Sequence, residues 1–358
     1  MMMAFHWLPF SKQQANQHDL GVDLGTVNTL ICTPQKGIVL CEPSVVAIDH
    51  TQSPPQLIEV GYPAKEMMGR TPSHIEVNRP LRDGVIADSE WAELMLRKFI
   101  EKVLSSNRFF APRPNRVVVG IPSGVRPVDR RILAEAAFAV GAHSVHLVEE
   151  PMAAAIGAGL PIMKPFGSMV VDIGGGTTDI AVLSLNGLVV SRSIKVAGDH
   201  LNQQIIHYLQ EERQLEIGER TAEEVKISLS SAMTTDELMF DEMEVRGLNR
   251  ITNLPDIIRV QAVEIRECLK HRLYQIIDSV KKALEETPPE LAADIKERGM
   301  ILTGGGAQLP GFASLISEET GVPVHIAKDP LHCVVLGTQR VLSDPEFHKV
   351  LEYTEYTG

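Results

Sequence analysis

Two short segments constrain this chain more than any other feature. Asp23-Leu24-Gly25-Thr26-Val27-Asn28-Thr29 and Asp172-Ile173-Gly174-Gly175-Gly176-Thr177-Thr178-Asp179 begin 149 positions apart, at 23 and 172 of 358 residues. Each sits between two hydrophobic runs and reads as strand, Asp, Gly/Thr turn, strand. A turn built from Gly and Thr can direct several backbone N–H groups at one point, and Gly lets a ligand come close to the backbone. Convergent amides of this kind bind phosphate oxygens. Thr26, Asn28 and Thr177 add side-chain donors. The Asp ending each first strand, Asp23 or Asp172, repels phosphate but suits a divalent cation that bridges to the phosphates, largely through water. Two such turns at domain-scale spacing predict two similar α/β halves that clamp a nucleoside triphosphate and Mg²⁺. Neither turn reads G-x-x-x-x-G-K-S/T, which excludes a P-loop protein, and neither is a G-x-G-x-x-G opening a helix, which disfavours a dinucleotide fold.

The rest of the chain alternates strand and helix patterns, which predicts an α/β protein with sheets covered by helices. Strands are expected over 20–22, 29–32, 116–121, 144–148, 168–172, 180–185 and 300–302. Helices are expected over 89–104 with Ser89 as N-cap, and over 127–140, 151–158, 199–213, 219–232, 256–286 and 310–319. Lys and Arg number 34 against 46 Asp and Glu, a formal net charge of −12, and aromatics make up only 5%. That balance argues against broad nucleic-acid binding, which needs a basic footprint or a stacking surface. Cys32, Cys41, Cys268 and Cys333 form no metal or disulfide pattern and read as buried apolar fillers in a reducing compartment. No run approaches the ~18 apolar residues of a membrane span. The N-terminal MMMAFHWLPF lacks preceding basic residues and is too short for a secretory signal, so the chain reads as cytoplasmic.

The two turns resemble those of the actin, Hsp70 and sugar-kinase superfamily. Longer blocks resemble the MreB family of bacterial actins: GIVLCEPSVVAI (37–48), GRTPSHIEVNRPLRDGVIAD (69–88), EEPMAAAIGAG (149–159), VVDIGGGTTDIAVLSL (170–185), GERTAEEVKI (218–227), TPPELAADI (287–295) and ILTGGGAQLPGF (301–312). They occur in order and cover the chain from about 19 to 342. Val27 stands where the family usually has Ala, and Asp179 where many members have Glu; neither change removes a phosphate donor. Residues 232–255 are less typical.

The resemblance implies an actin-like (ribonuclease H-like) fold, two facing α/β domains in four subdomains around a nucleotide cleft. Subdomain IA would comprise 19–48, 80–160 and 335–358, and IB 49–79. Subdomain IIA would comprise 161–198 and 256–334, and IIB 199–255; 1–18 would be an apolar membrane-contact segment. It further implies an ATPase that forms paired homopolymeric filaments. Glu150, with Pro151 fixing the helix start, would orient the attacking water, helped by Thr177. From the residues alone Glu150 reads equally as a charge complementing a helix dipole, and Glu149 as its solvated neighbour. Phosphate contacts fall to Gly25, Thr26, Val27, Asn28, Gly174, Gly175, Gly176 and Thr177, with Asp23 and Asp172 organising Mg²⁺. Gly304, Gly305, Gly306 and Ala307 would lie against adenine and ribose, or form a plain strand-to-helix turn. Glu223 and Lys226, one helical turn apart, resemble nucleoside contacts and read otherwise as a surface ion pair. Gly198 and Asp199 flank the same region.

Met1, Phe5 and Leu8 follow helical spacing with Trp7 beside them, a pattern suited to the lipid interface. Phe109 and Phe110 lie in an Arg-flanked loop, where exposed aromatics are costly in water. Family members insert such a loop at the inner face of the plasma membrane, and Phe packing beneath the loop is the other reading. The implied role is a membrane-bound filament that guides cell-wall (peptidoglycan) synthesis with other elongation proteins and sets cell shape. Its rivals are a plasmid-partitioning or organelle-aligning actin, a small-molecule kinase of the same fold, and a non-hydrolysing adaptor. A chaperone ATPase of the Hsp70 type would carry a further substrate-binding domain, which is not expected here.

Overall fold

The computed structural model describes residues 18–104, 114–234 and 241–351, and the backbone of 355–357. Trp7, Phe109 and Phe110, on which the membrane expectation rests, lie outside the described residues. The chain divides into two compact units, Met1–Phe166 with Leu183–Val189 and Leu331–Gly358, and Gly167–Val182 with Val190–Pro330.

In the first unit β1 (Leu20–Leu24), β2 (Asn28–Thr33) and β3 (Gly37–Pro43) run as an antiparallel meander. The chain then leaves this sheet through β4 (Val46–Asp49). That strand is the centre of a three-stranded sheet with β5 (Gln56–Val60) and β6 (Ile75–Asn78), α1 (Tyr62–Met67) lying between them in sequence. A short hairpin, β7 (Leu81–Arg82) and β8 (Val85–Ile86), leads into α2 (Ser89–Leu104). The main sheet is completed by β9 (Arg116–Ile121), followed by α3 (Pro127–Ala139), and β10 (Ser144–Glu149), followed by α4 (Glu150–Ala158). Strands β1, β9 and β10 are mutually parallel in that register. A parallel strand is covered on both faces, so it reads as a near-continuous apolar run such as Val117-Val118-Val119, all buried. The α2 face of Met95, Leu96, Phe99 and Ile100 fills the core over this sheet.

In the second unit β11 (Ser168–Ile173), β12 (Thr178–Ser184) and β13 (Gly187–Ile194) precede α5 (Gly198–Glu212). Next come β14 (Leu215–Glu216), α6 (Glu219–Leu229), and a hairpin of β15 (Glu242–Asn249) and β16 (Pro255–Gln261). Helices α7 (Ala262–Glu285) and α8 (Pro289–Arg298) precede β17 (Met300–Thr303), α9 (Phe312–Thr320) and β18 (Val324–Ile326). The sheet orders are β13-β12-β11-β17-β18 and β14-β15-β16.

The chain ends in the first unit. Helix α10 (Cys333–Ser343) packs on α4, and β19 (Glu355–Thr357) joins the β10 edge antiparallel. The α4–α10 crossing depends on glycine. A Cβ at Gly157 would lie 1.8 Å from the Cys333 carbonyl oxygen, and one at Gly337 1.9 Å from that of Ala153. No larger residue permits that approach.

Four sequence expectations need correction. Residues 256–261 are not helical: DIIRVQ alternates with period two and pairs with β15, and α7 starts only where Gln261 and Glu264 form a reciprocal capping box. The helix expected over 219–232 stops at Leu229, because Ser230 turns extended. The cap of α2 is Asp88, not Ser89; its carboxylate accepts from the Trp91 N–H at 3.3 Å. Of the cysteines, Cys32 and Cys333 are buried as expected, but Cys41 is exposed and Cys268 half-buried.

A buried polar group fastens the far end of the parallel strands from the turn. Asp19, wholly buried, accepts from the backbone N–H of Arg116 at 3.1 Å and from its Nε at 2.9 Å. His146 of β10 lies near this pair, 1% exposed; burial first, then Arg116, pushes its pKa down to about 4. An unfolded His takes up its proton near pH 6.5, whereas this one resists until about 4, so the unfolded chain binds more protons in between. Stability therefore falls as pH drops from 6.5 towards 4, by about 1 kcal/mol per pH unit for this group. Thermal melts from pH 7.5 to 4.5 should show a shallower decline for His146→Gln than for the wild type; parallel slopes would refute the assignment.

Candidate functional site

The first half-site stands at the carboxyl ends of β1, β9 and β10, the end at which open α/β sheets bind ligands. Asp23 is the register partner of Gly120 in β9, and Glu149 that of Ile121, so Asp23 and Glu150 share this edge. Both carboxylates are nearly buried, at 9% and 8% exposed. Glu150 opens α4 with Pro151 in its first turn. A Cβ at Gly120 would meet the Val334 Cγ1 at 3.0 Å and stand in ordinary contact with the Glu150 Cγ at 3.7 Å, which places Gly120 beside that side chain. Glu149 is no solvated neighbour: it accepts from the Ser123 hydroxyl at 2.9 Å and faces Arg130 at 3.6 Å, which holds the helix start from outside.

Turn 25–28 has its carbonyls tied to its own unit. The Gly25 carbonyl accepts from the Ser44 hydroxyl at 2.6 Å, and the Val27 carbonyl from the Ser44 N–H at 2.9 Å. A trans peptide places its C=O and the next N–H on opposite sides. Tying these two carbonyls therefore turns the Thr26 and Asn28 amides the other way, as an anion site needs. The Thr26 hydroxyl accepts from the Gly84 N–H at 3.4 Å.

The second unit repeats the device with different donors. Gly174 donates its N–H to the Thr177 carbonyl at 2.9 Å, closing turn 174–177. The Gly174 and Gly175 carbonyls accept from the N–H groups of Gly198 at 3.1 Å and Asp199 at 2.8 Å. Helix α5 has no side-chain N-cap, and these carbonyls satisfy two of its otherwise open first-turn donors. The Gly175 and Gly176 amides consequently face away from α5. Lys226 Nζ donates to the Gly198 carbonyl at 3.1 Å, drawing α6 to the same point. Gly198 and Asp199, peripheral in the sequence reading, thus brace the turn directly.

Gly304 has φ 78° and ψ 173°, a conformation essentially confined to glycine. A Cβ there would lie 2.4 Å from the Ile173 carbonyl oxygen, and one at Gly306 2.2 Å from the Ile173 Cγ2. Segment 304–307 therefore lies flat on the end of β11, next to the second turn, and ends on the buried Ala307. Gly305 opens a short 3₁₀ turn, Gly305–Gln308, between β17 and α9. Glu223 stands half-buried on α6, one turn before Lys226. Within the second unit the structure gathers Asp172, the 174–177 turn, Lys226 and the 304–306 glycines; within the first it gathers Asp23, turn 25–28 and Glu150.

Asp172 is 6% exposed, and the Thr303 hydroxyl donates to its Oδ1 at 2.7 Å. Burial, opposed by that bond and reinforced by the nearby Asp179, pushes its pKa up to about 7. Asp23 and Asp172 offer oxygen donors only, which suits a hard divalent cation. Among the described residues no group of three or more His, Cys, Asp or Glu converges as a metal cage. The donor set thus fits an ion held largely through water. Sequence reasoning missed Ser44, Thr303 and the Ser123–Glu149 bond; the only available signals were Ser44 within the 37–48 block and Thr303 preceding three glycines.

A buried strand-end carboxylate beside a Gly/Thr turn, present in each unit, belongs to the actin-like class, and the chain has that fold. The family model for MreB/Mbl protein matches residues 17–350. The chain belongs to the MreB/Mbl family. It is 50% identical over 333 residues to the cell shape-determining protein MreB of Escherichia coli K12, covering 92% of this chain and 95% of that one. It is 46% identical over 326 residues to the cell shape-determining protein Mbl of Bacillus subtilis 168, covering 91% and 96%. The crystal structure of MreB5 of Spiroplasma citri bound to ADP superposes with a TM-score of 0.85 at 36% identity, covering 93% of this chain and 98% of that one.

The Asp172 shift has a testable sign. A carboxyl whose folded pKa lies above its unfolded value near 3.8 costs stability progressively as pH rises from there to about 7. Without nucleotide or divalent cation, Asp172→Asn should therefore be more stable than the wild type at pH 8, by on the order of 2 kcal/mol. The advantage should shrink towards pH 5. Denaturant midpoints at the two pH values check this, and a variant less stable at pH 8 would contradict it.

Proposed function

We propose that this protein binds ATP with Mg²⁺, hydrolyses it, and assembles with itself into actin-like filaments at the inner face of the plasma membrane. There it would organise cell-wall synthesis with other elongation proteins and determine cell shape. The observation that carries the reading is the repeated device of a strand-end Asp beside a turn whose carbonyls are tied away from its amides. The MreB and Mbl relatives named cell shape-determining proteins support the biological role. The MreB5 structures with ADP and with AMPPNP support an adenine nucleotide.

In this reading the amides of turns 25–28 and 174–177 donate to phosphate oxygens. Mg²⁺, when bound, would neutralise charge on those oxygens; Asp23 and Asp172 would hold it largely through water. Glu150 accepts a hydrogen bond from the water aimed at the terminal phosphate and orients it, and Thr177 helps to hold that water. Segment 304–307, Glu223 and Lys226 take the nucleoside. An ammonium has three donors, so Lys226 can reach a ligand while keeping its bond to Gly198. The four-subdomain division belongs to the same proposal: 19–48, 80–160 and 335–358; 49–79; 161–198 and 256–334; 199–255. Membrane contact is assigned to Trp7, Phe109 and Phe110 on sequence grounds. The second reading, a partitioning or organelle-aligning filament, differs in needing no lipid.

Pelleting and electron microscopy with liposomes, with and without Mg-ATP, test the reading. Nucleotide-dependent filaments should form on lipid and detach in the Phe109→Ser/Phe110→Ser double variant. Filaments indifferent to lipid would favour the second reading, and a protein that stays monomeric with ATP would refute both. Glu150→Gln should keep ATP affinity while phosphate release falls by roughly 100-fold, and its filaments should outlast those of the wild type. Undiminished release would remove Glu150 from the water-orienting role.

A further inference from the structure

Ser44 belongs to no motif with a role above, yet it bonds the first turn twice, through its hydroxyl and through its N–H. It lies between β3 and β4, where the chain leaves the main sheet for the three-stranded one, and it is wholly buried. Its hydroxyl carries one hydrogen. The Gly25 carbonyl 2.6 Å away can only accept, so that hydrogen is spent there. The Thr29 hydroxyl, 2.9 Å from Ser44 Oγ, must then be the donor of the second bond. The result is a directed chain from Thr29 to Ser44 to Gly25, in which each bond polarises the next. The Ser44 N–H meanwhile holds the Val27 carbonyl. One residue thus fixes two peptide planes of a four-residue turn from 19 positions away.

The same stretch is anchored on its other side. Glu42 accepts from the Tyr62 N–H at 3.0 Å and pairs with Lys102, while the Gly61 N–H donates to the Val45 carbonyl at 2.9 Å. Ser44 is therefore held between the turn and the root of α1.

We propose that Ser44 is a positioning residue for phosphate binding: its hydroxyl and N–H set the Gly25–Thr26 and Val27–Asn28 peptide planes, and hence the aim of the first turn's amides. The proposal rests on the nucleotide reading of that turn. Without the hydroxyl, the Gly25 carbonyl loses its buried partner and the peptide is free to rotate. The loss should fall on the phosphates and not on the nucleoside.

The test compares full-length wild type with Ser44→Ala, Thr29→Val and Thr338→Val. Thr338 serves as a control: its hydroxyl is equally buried in the same unit but donates within α10, to the Val335 carbonyl at 2.8 Å. Affinities for ATP and, by competition, for adenosine are measured with melting temperatures. Ser44→Ala should bind ATP about tenfold more weakly, the loss expected for one buried hydrogen bond, with adenosine unchanged. Thr29→Val, which keeps the Ser44–Gly25 bond, should lose about two- to threefold in the same direction. Thr338→Val should lower the melting temperature and leave ATP affinity alone.

Wild-type ATP affinity in Ser44→Ala overturns the proposal, as do equal losses for ATP and adenosine, or an equal loss of ATP affinity in Thr338→Val. If Ser44→Ala does not fold, Thr29→Val against Thr338→Val decides: a loss confined to ATP in Thr29→Val supports the proposal, and wild-type affinity there overturns it. A wild-type protein that binds no ATP overturns the nucleotide reading itself, and this inference with it.

Discussion

A turn binds an anion only if its carbonyls have somewhere else to go. Each peptide plane presents a donor on one side and an acceptor on the other, so aiming amides at a phosphate aims carbonyls at the protein. Buried there, each carbonyl needs a partner. In this molecule the partners are Ser44 for turn 25–28 and the first amides of α5 for turn 174–177. Much of the surrounding structure serves to hold those partners still. Glu42 and Gly61 fasten the segment that carries Ser44, and Lys226 fastens the start of α5 by its bond to Gly198. The glycines at 304 and 306 let a third segment settle on the end of β11 beside the second turn.

What was legible in the sequence was what local pattern encodes. The apolar runs on both sides of Asp23 and Asp172 become β1, β2, β11 and β12, and α2 spans the predicted 89–104. Where pattern conflicted with pairing, pairing won: 256–261 sits next to a long helical repeat, yet its alternation finds β15 and becomes strand. A one-residue slip in the cap of α2 has a similar origin. Ser89 and Asp88 are both capping types, and only the Asp88 carboxylate reaches the Trp91 N–H.

The bracing of the site was not legible, because its bonds join residues far apart in the chain. Ser44 is 19 residues from Gly25, Thr303 is 131 from Asp172, and Ser123 is 26 from Glu149. No periodicity marks such a pair. Composition misled in one place: Glu149, charged and next to a stronger candidate, read as a solvated neighbour, whereas Ser123 and Arg130 make it part of the support for α4.

Two buried aspartates differ in how their charge is answered. Asp19 is enclosed entirely, but the Arg116 guanidinium and backbone amide meet both its oxygens, so its charge is answered inside the fold. Asp172 is almost as deeply buried, and a hydroxyl and a second carboxylate are its neighbours instead of a cation. A fold selected only for stability has no use for that arrangement, since an apolar or amide residue there would avoid the desolvation cost. Under the proposed nucleotide reading, its position at the end of a parallel strand, beside a glycine turn, gives the cost a purpose. In the proposed function a cation with its phosphates would supply the countercharge at Asp172, and the first unit places Asp23, likewise nearly buried, near the end of β1 beside its own turn.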